Sequence, residues 1–188
     1  MENQENKSTQ DIILTHVAFG MTAGAIPVPL LDIAAVSAVQ LNMIRQIAAH
    51  YNADFNSNLG KSLISAVLGS SIARAGASIV KAFPGIGTAL GIGTQVVLSG
   101  ASTYAVGKLF DSHFAGNGTL DSFNVEEMKQ KFKELYEQGK KAAQDMYNES
   151  KDEDVYVKIE KLNKLRESGA ITESEFEEAK KNLLSKIS

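Results

Sequence analysis

Residues 12–31 read IILTHVAFGMTAGAIPVPLL, and this stretch sets how the first half of the chain is divided into helices. Its 20 residues carry no formal charge. An uncharged run of this length is enough for one helix to cross a bilayer. Pro27 and Pro29 interrupt it, because each proline removes an N–H and disfavours helix in the residue before it. We therefore predict a helix from about Asp11 to Ala25, an IPVP elbow, and a second helix from about Leu30 to Tyr51.

The charged side chains of this 188-residue chain are distributed very unevenly. Residues 12–110 contain five basic and two acidic side chains, whereas residues 111–188 contain 13 basic and 17 acidic ones. The predicted segments are all helical, so the fold class predicted is all-α. Helices that are apolar on every face belong in a core or in lipid. The predicted organisation is a disordered tail at 1–10, an apolar helical domain at 11–110, a linker with an amphipathic helix at 111–153, and a helical hairpin at 154–188.

Small residues recur at helical spacing in the rest of the apolar domain. The third predicted helix (60–83) and the fourth segment (82–107) would form a hairpin that turns at the PGIG sequence, making a four-helix module. Small side chains every four or seven residues let two helix backbones approach closely, as at helix interfaces in membranes. The predicted packing ridge comprises Gly69, Ala73, Ala77, Gly93, Gly100 and Gly107.

Two environments for this module are compatible with its composition. Residues 82–107 form 26 consecutive uncharged residues, more than the roughly 20 that span a bilayer. Only half of them are apolar, and the third helix carries Arg74, whose insertion would cost roughly 2.5–3.5 kcal/mol. A tightly packed core in water explains the same pattern without that cost.

The run HVAFGMTAGAIPVPLLDIAAVSAVQLNMIRQIAAHY at 16–51, followed by FPGIGT at 83–88, resembles an uncharacterised bacterial domain, family 697. The pieces that carry the resemblance are the IPVP elbow with Asp32 behind it, Gln40 and Met43 on the next helix, and the PGIG turn. Family members are fused to, or encoded beside, small GTPases, and they include YcjF-like inner-membrane proteins. The resemblance covers 11–110 and implies an all-helical, membrane-associated module that accompanies a GTPase. It implies no catalytic residue, and these 188 residues include no GTPase domain of the kind that fused relatives carry.

No catalytic, cofactor-binding or metal-binding residue is predicted. The chain has no cysteine, which excludes a thiolate zinc site and a cysteine nucleophile. Its three histidines, His16, His50 and His113, have no carboxylate or second histidine at ligand spacing. The triplet Gly60-Lys61-Ser62 is the second half of a phosphate loop, but Phe55 occupies the position of the first glycine, so we interpret it as a helix start.

Asp32 has two interpretations. It completes the structural elbow with Pro27 and Pro29 as a carboxylate that accepts from free N–H groups at a helix N-terminus. If the core lies in lipid, it is instead a functional intramembrane carboxylate, paired with Arg45 or Arg74.

The charged half contains one long amphipathic helix. Apolar residues between Val125 and Met146 fall largely at spacings of three and four on a helix rich in lysine and glutamate. This stripe packs either on the core of the same chain or on a partner helix or membrane surface; the pattern allows both.

The string KLNKLRESGAITESEFEEAKKNLL at 161–184 predicts two short helices around a Gly-Ala-Ile-Thr turn. Thr172 and Glu175 have the spacing of a capping box. The string resembles SHOCT, a short C-terminal domain whose role in relatives is assembly or interaction. Because so short a hairpin has little core, we expect its apolar stripe to be buried against a partner or another copy. The interaction residues predicted are Leu162, Leu165, Gly169, Thr172, Glu175, Phe176 and Leu183.

These features favour a non-enzymatic, membrane-associated accessory or scaffold protein that oligomerises through its C-terminal hairpin, without a cofactor. A small GTPase is the partner that the resemblance implies, and the net charge of −3 argues against nucleic acid. Residues 1–11 do not resemble an export signal, so we expect the cytoplasmic side of the inner membrane, with the cytoplasm as the alternative. A soluble all-α oligomeric scaffold is the second interpretation, and a transporter or enzyme that uses Asp32 ranks last.

Overall fold

The computed structural model describes residues 8–23, 31–82, 92–150 and 155–185, which contain seven helices and no strand. The all-α class predicted from the sequence is confirmed. The helices are α1 (Thr9–Ala23), α2 (Leu31–His50), α3 (Ser57–Ala82), α4 (Ile92–Ala115), α5 (Val125–Ser150), α6 (Val155–Glu167) and α7 (Glu173–Leu184).

The start of α3 and the end of α4 differ from the sequence prediction. Helix α3 begins three residues early, because the Asn56 side-chain oxygen accepts from the backbone N–H groups of Asn58 and Leu59 at 2.9 and 3.0 Å. Helix α4 continues past the end of the uncharged run at Gly107. Its added turns include Asp111, whose Oδ1 accepts from the Tyr51 hydroxyl at 2.9 Å and ties the end of α4 to the end of α2.

Helix α4 lies at the centre of the molecule and contacts α1, α2 and α5. The helices approach so closely that a Cβ added at Gly100 would lie 2.6 Å from Met21 Cγ of α1 and 2.9 Å from Ala143 Cβ of α5. A Cβ added at Gly107 would lie 2.9 Å from Ile13 Cγ1. These separations are shorter than carbon atoms tolerate, so α4 packs in this way only because it has no side chain at the two positions.

Of the remaining members of the predicted packing ridge and elbow, Gly69 is not at a helix interface, and for the others the residue itself, its side chain or its surroundings lie outside what the structure describes. Gly69 of α3 is exposed, and a Cβ added there would have no neighbour within 4 Å. Pro27, Pro29 and the PGIG turn lie outside the described residues, as do the side chains of Asp32, Ala73 and Ala77 and the surroundings of Gly93. Helix α3 contacts α2 and α5, whereas the predicted α3–α4 hairpin depends on a turn outside the described residues.

The amphipathic helix α5 packs on the core of the same chain. Its buried residues Met128, Phe132 and Ala143 belong to one apolar cluster with Phe110 of α4 and Ile13 of α1. The first of the two interpretations of the apolar stripe is therefore the one that the structure shows. None of the helices in the described residues combines the length and hydropathy that a bilayer crossing requires.

At Gly139, helix α5 approaches the backbone of α4 closely. A Cβ at this position would lie 2.7 Å from the Ala101 carbonyl oxygen, a backbone atom that cannot move without displacing α4. We expect Gly139→Ala to lower the free energy of unfolding by about 1–3 kcal/mol, as overpacking does. Urea unfolding followed by circular dichroism measures this change.

The matched control is the same substitution at the exposed Gly69. Here the added methyl group meets nothing and removes backbone freedom from the unfolded chain, so Gly69→Ala should raise the free energy of unfolding by about 0.5–1 kcal/mol. Effects of the same sign at both positions would contradict the close approach of α4 and α5.

Candidate functional site between the helical core and the C-terminal hairpin

The C-terminal hairpin is shaped by a glycine turn and a capping box. Helix α6 ends at Glu167, and Gly169 has a φ of 72°, a conformation that side chains rarely adopt. The Ala170 N–H then donates to the Leu165 carbonyl at 2.9 Å. At the start of α7 the Thr172 side chain accepts from the Glu175 N–H, and the Glu175 carboxylate accepts from the Thr172 N–H, so the capping box predicted from the sequence is confirmed.

The apolar face of this hairpin packs on helices α1 and α2 of the same chain. The buried residues of this second apolar cluster are Ala23 of α1, Ala35 and Val39 of α2, and Leu162, Leu165, Ile171, Phe176 and Ala179 of the hairpin. Leu183 is partly buried against the same cluster. The stripe for which the sequence predicts a partner or a second copy is thus covered by the chain's own core.

A cavity of about 810 Å³ lies where the hairpin meets the core, and we call it the hairpin groove. Four segments contribute to its walls: α1, α2, the Phe55 loop with the first turns of α3, and the end of α6 with the turn that follows. Its lining comprises Thr15, His16, Phe19, Ser37, Ala38, Val39, Leu41, Asn42, Arg45, Gln46, Phe55, Ser57, Lys61, Ile64, Ser65, Lys164, Leu165, Ser168 and Ala170.

Among the side chains that the structure describes, the hairpin groove is lined by three cationic ones, Arg45, Lys61 and Lys164, and by no aspartate or glutamate. Arg45 lies one turn from Leu41 and Asn42 on α2, and Lys61 lies one turn from Ser57 and Ser65 on α3, so each belongs to a continuous groove-facing row. Two of the five basic residues in the charge-poor half of the chain therefore reach the same cavity.

One carboxylate contacts this set from outside the lining. Glu160 Oε1 lies 2.8 Å from Lys164 Nζ on α6. The hydrogen bond from the Lys164 ammonium holds the pKa of the Glu160 carboxyl below its ordinary value. Both side chains are more than half exposed, so water screens the pair strongly and leaves Lys164 available to a ligand.

His16 lies in the wall of the groove and forms hydrogen bonds with neutral groups. Its Nδ1 is 2.7 Å from the Ile12 carbonyl oxygen, and its Nε2 is 3.2 Å from Asn42 Oδ1. The Gln46 amide donates to the same Asn42 oxygen at 2.6 Å. This is the environment of a hydrogen-bonded helix histidine. No group of three metal-ligating side chains occurs within the part of the chain that the structure describes.

Gln40 and Met43, two residues that carry the family resemblance, lie between α2 and α4. Gln40 is fully buried and its amide nitrogen donates to Ser102 Oγ at 3.1 Å, while its Oε1 has no hydrogen-bond partner in the described structure. A Cβ at Gly107 would lie 3.0 Å from Met43 Sδ. Their place in the structure is therefore the packing of the core, away from the groove lining.

The sequence did not reveal the hairpin groove as a site. In the sequence, Arg45 is recognisable only as an ion-pair partner for Asp32, and Lys61 only as part of an incomplete phosphate loop. Nothing in the sequence distinguishes Lys164 from its neighbours. The available signal was the scarcity of charge in residues 12–110, because a cation retained in such a segment has a better than average chance of a specific role.

Comparison with known proteins agrees with this architecture. Residues 1–141 match the family model described as Domain of unknown function (DUF697), which here includes most of α5, and residues 158–184 match the Short C-terminal domain (SHOCT). Magnetosome membrane protein 22 of Magnetospirillum gryphiswaldense is 33% identical over 139 residues, which cover 71% of this chain and 71% of that protein. No solved structure matches the chain. Both resemblances drawn from the sequence are confirmed: the chain belongs to the DUF697 family and ends in a SHOCT domain.

Proposed function

We propose that this chain is a non-enzymatic accessory protein that works at a membrane, uses its C-terminal hairpin as the contact element for assembly, and serves a small GTPase. The observation that carries the membrane part is the similarity, over 71% of the chain, to a protein named magnetosome membrane protein 22. The GTPase and the cytoplasmic side of the inner membrane come from the resemblance of residues 16–51 and 83–88 to the GTPase-associated family.

The arrangement of the apolar clusters supports the role of the hairpin. Its residues form a cluster of their own with α1 and α2, while α4 and α5 belong to the main cluster. Because the two clusters are separate, the hairpin can leave its site on α1 and α2 without opening the main core. A second copy could then occupy the same surface with its own hairpin, which is a low-cost route to an oligomer.

Cell fractionation tests the membrane part of the proposal. The tagged chain, expressed at its natural level, should sediment with membranes and require detergent for extraction. Recovery as a monodisperse species in the soluble fraction would favour the alternative, an all-α scaffold without membrane contact. One observation favours that alternative: the apolar stripe of α5, which could have faced a membrane, is buried against α4.

Affinity purification in detergent tests the GTPase part. We expect a protein with a GTPase fold to copurify with the full chain in stoichiometric amount, and a purification that contains no GTPase rejects this part. Sedimentation of the chain truncated after residue 150 tests assembly, because an oligomeric state unchanged by the loss of α6 and α7 rejects the hairpin as the assembly element.

A further inference from the structure

We propose that the hairpin groove binds an anionic phospholipid, with the phosphate of the head group on Arg45, Lys61 and Lys164 and the first part of an acyl chain on the apolar wall. This inference rests on the proposed membrane function and names the ligand through which the chain would recognise the membrane.

The charge of the groove selects an anion. Its three cations come from three different helices, α2, α3 and α6, and among the described side chains no carboxylate belongs to the lining, although Glu160 pairs with Lys164 beside it. Arginine presents several N–H donors in a planar fork that matches phosphate oxygens, and lysine adds a point charge. Hydroxyl groups of Ser57 and Ser65, one turn before and after Lys61, add neutral donors for the remaining oxygens.

The apolar part of the groove selects an amphiphile rather than a bare anion. Phe19, Leu41 and Phe55 line the same cavity as the cations and are only partly buried. A free phosphate would leave the exposed part of these side chains in water, whereas the alkyl chain of a lipid covers it and gains free energy with each buried methylene. The volume of about 810 Å³ accommodates a head group with part of its chains and lies within the usual range for ligand pockets.

Both the core and the hairpin would contact the bound lipid. Lys164, Leu165, Ser168 and Ala170 come from the hairpin, and the other lining residues come from the core and its loop. A ligand that binds only when both walls are in place stabilises the docked hairpin by mass action. The lipid would therefore hold the contact element closed.

The test is titration calorimetry of the full chain with dihexanoyl-phosphatidylglycerol below its micelle concentration. We expect saturable binding of this lipid, at least tenfold weaker binding of dihexanoyl-phosphatidylcholine, and weaker binding of both inorganic phosphate and GTP. Binding of phosphate or of GTP as tight as that of the anionic lipid would overturn the lipid assignment, and no binding of phosphatidylglycerol would overturn the proposal.

Two double variants locate the binding site. Arg45→Glu with Lys61→Glu should weaken the affinity for the anionic lipid by about thirtyfold or more, since each basic residue near an anionic lipid surface contributes about a factor of five. Lys133→Glu with Lys141→Glu makes the same change of charge on exposed positions of α5 outside the groove and should leave the affinity within twofold. Equal effects of the two variants would overturn the proposal.

Both altered groove positions are exposed, so the first variant should unfold at the same temperature as the wild type. If it does not, Arg45→Gln with Lys61→Gln removes the charges without reversing them and must still weaken lipid binding. Failure of this inference is distinguishable from failure of the proposed function. If the protein is membrane-bound in cells but the groove variants leave its affinity for the anionic lipid unchanged, the groove proposal alone is rejected. If the protein binds the lipid in vitro but is soluble in cells, the membrane function is rejected.

Discussion

Replacing Phe110 by alanine should lower the free energy of unfolding by about 3–5 kcal/mol, the range for a buried aromatic side chain. Phe110 is 1% exposed, and its ring stacks on Phe123 with the centroids 4.6 Å apart and the planes at 17°. The centroid of the Phe114 ring lies 6.0 Å from that of Phe110. The truncation therefore leaves a cavity at the point where α4 meets the loop that leads into α5.

Thermal and urea unfolding measure this loss, which would remove a large part of the roughly 5–15 kcal/mol that stabilises an ordinary domain. Val157→Ala is the control, because this side chain is 40% exposed and its truncation should change the free energy of unfolding by less than about 0.5 kcal/mol. A Phe110→Ala protein as stable as the control would show that α5 and its loop do not pack on α4.

Replacing Leu162 by aspartate should release the C-terminal hairpin while the main core stays folded. Leu162 is 3% exposed within the cluster that joins the hairpin to α1 and α2. The substitution removes apolar contact worth about 2–5 kcal/mol and adds a carboxylate that the docked state would bury without a partner. Since the isolated hairpin has almost no core of its own, we expect α6 and α7 to lose helical structure on release.

Hydrogen exchange followed by mass spectrometry separates the two parts of the molecule. Peptides from α6 and α7 should lose protection by about a hundredfold or more, and peptides from α4 should keep theirs. Val157→Asp is the control, because it places the same carboxylate on the same helix at a position that is 40% exposed. Simultaneous loss of protection in α4 and α6 would contradict two separable clusters, and unchanged protection in α6 would contradict docking of the hairpin.

Release of the hairpin would change both surfaces on which the proposed assembly and lipid binding depend. The same displacement that Leu162→Asp imposes would expose Ala23, Ala35 and Val39 of α1 and α2. It would also remove the Lys164 and Leu165 wall of the hairpin groove. A partner that competes for the hairpin and a lipid that fills the groove would therefore act in opposite directions on one equilibrium, which is the physical basis for a regulated contact.

Much of the secondary structure is readable from the residues alone. Helical periodicity and turn residues are local properties, so the all-α class, the amphipathic stripe from Val125 to Met146 and the Thr172–Glu175 capping box are found without any tertiary information. The boundary error at α3 comes from a local interaction, the Asn56 cap. The added turns of α4 carry Leu109, Phe110 and Phe114, which are buried in the main core. The motif at 161–184 likewise identifies its domain because all its signals lie within 24 residues.

The residues alone do not show which helices cover each apolar face, because this depends on contacts between residues that are distant in the chain. Gly139 stands in a charged helix with Ala143 as a small neighbour at a spacing of four, and it lies against the Ala101 backbone where α5 crosses α4. The apolar stripe of the C-terminal hairpin predicts that another surface covers this face. It does not predict that α1 and α2 of the same chain provide that surface. Arg45, Lys61 and Lys164 become one cationic groove only when α2, α3 and α6 are packed together. Local periodicity thus specified the helices, and the packing of their faces in three dimensions created the site.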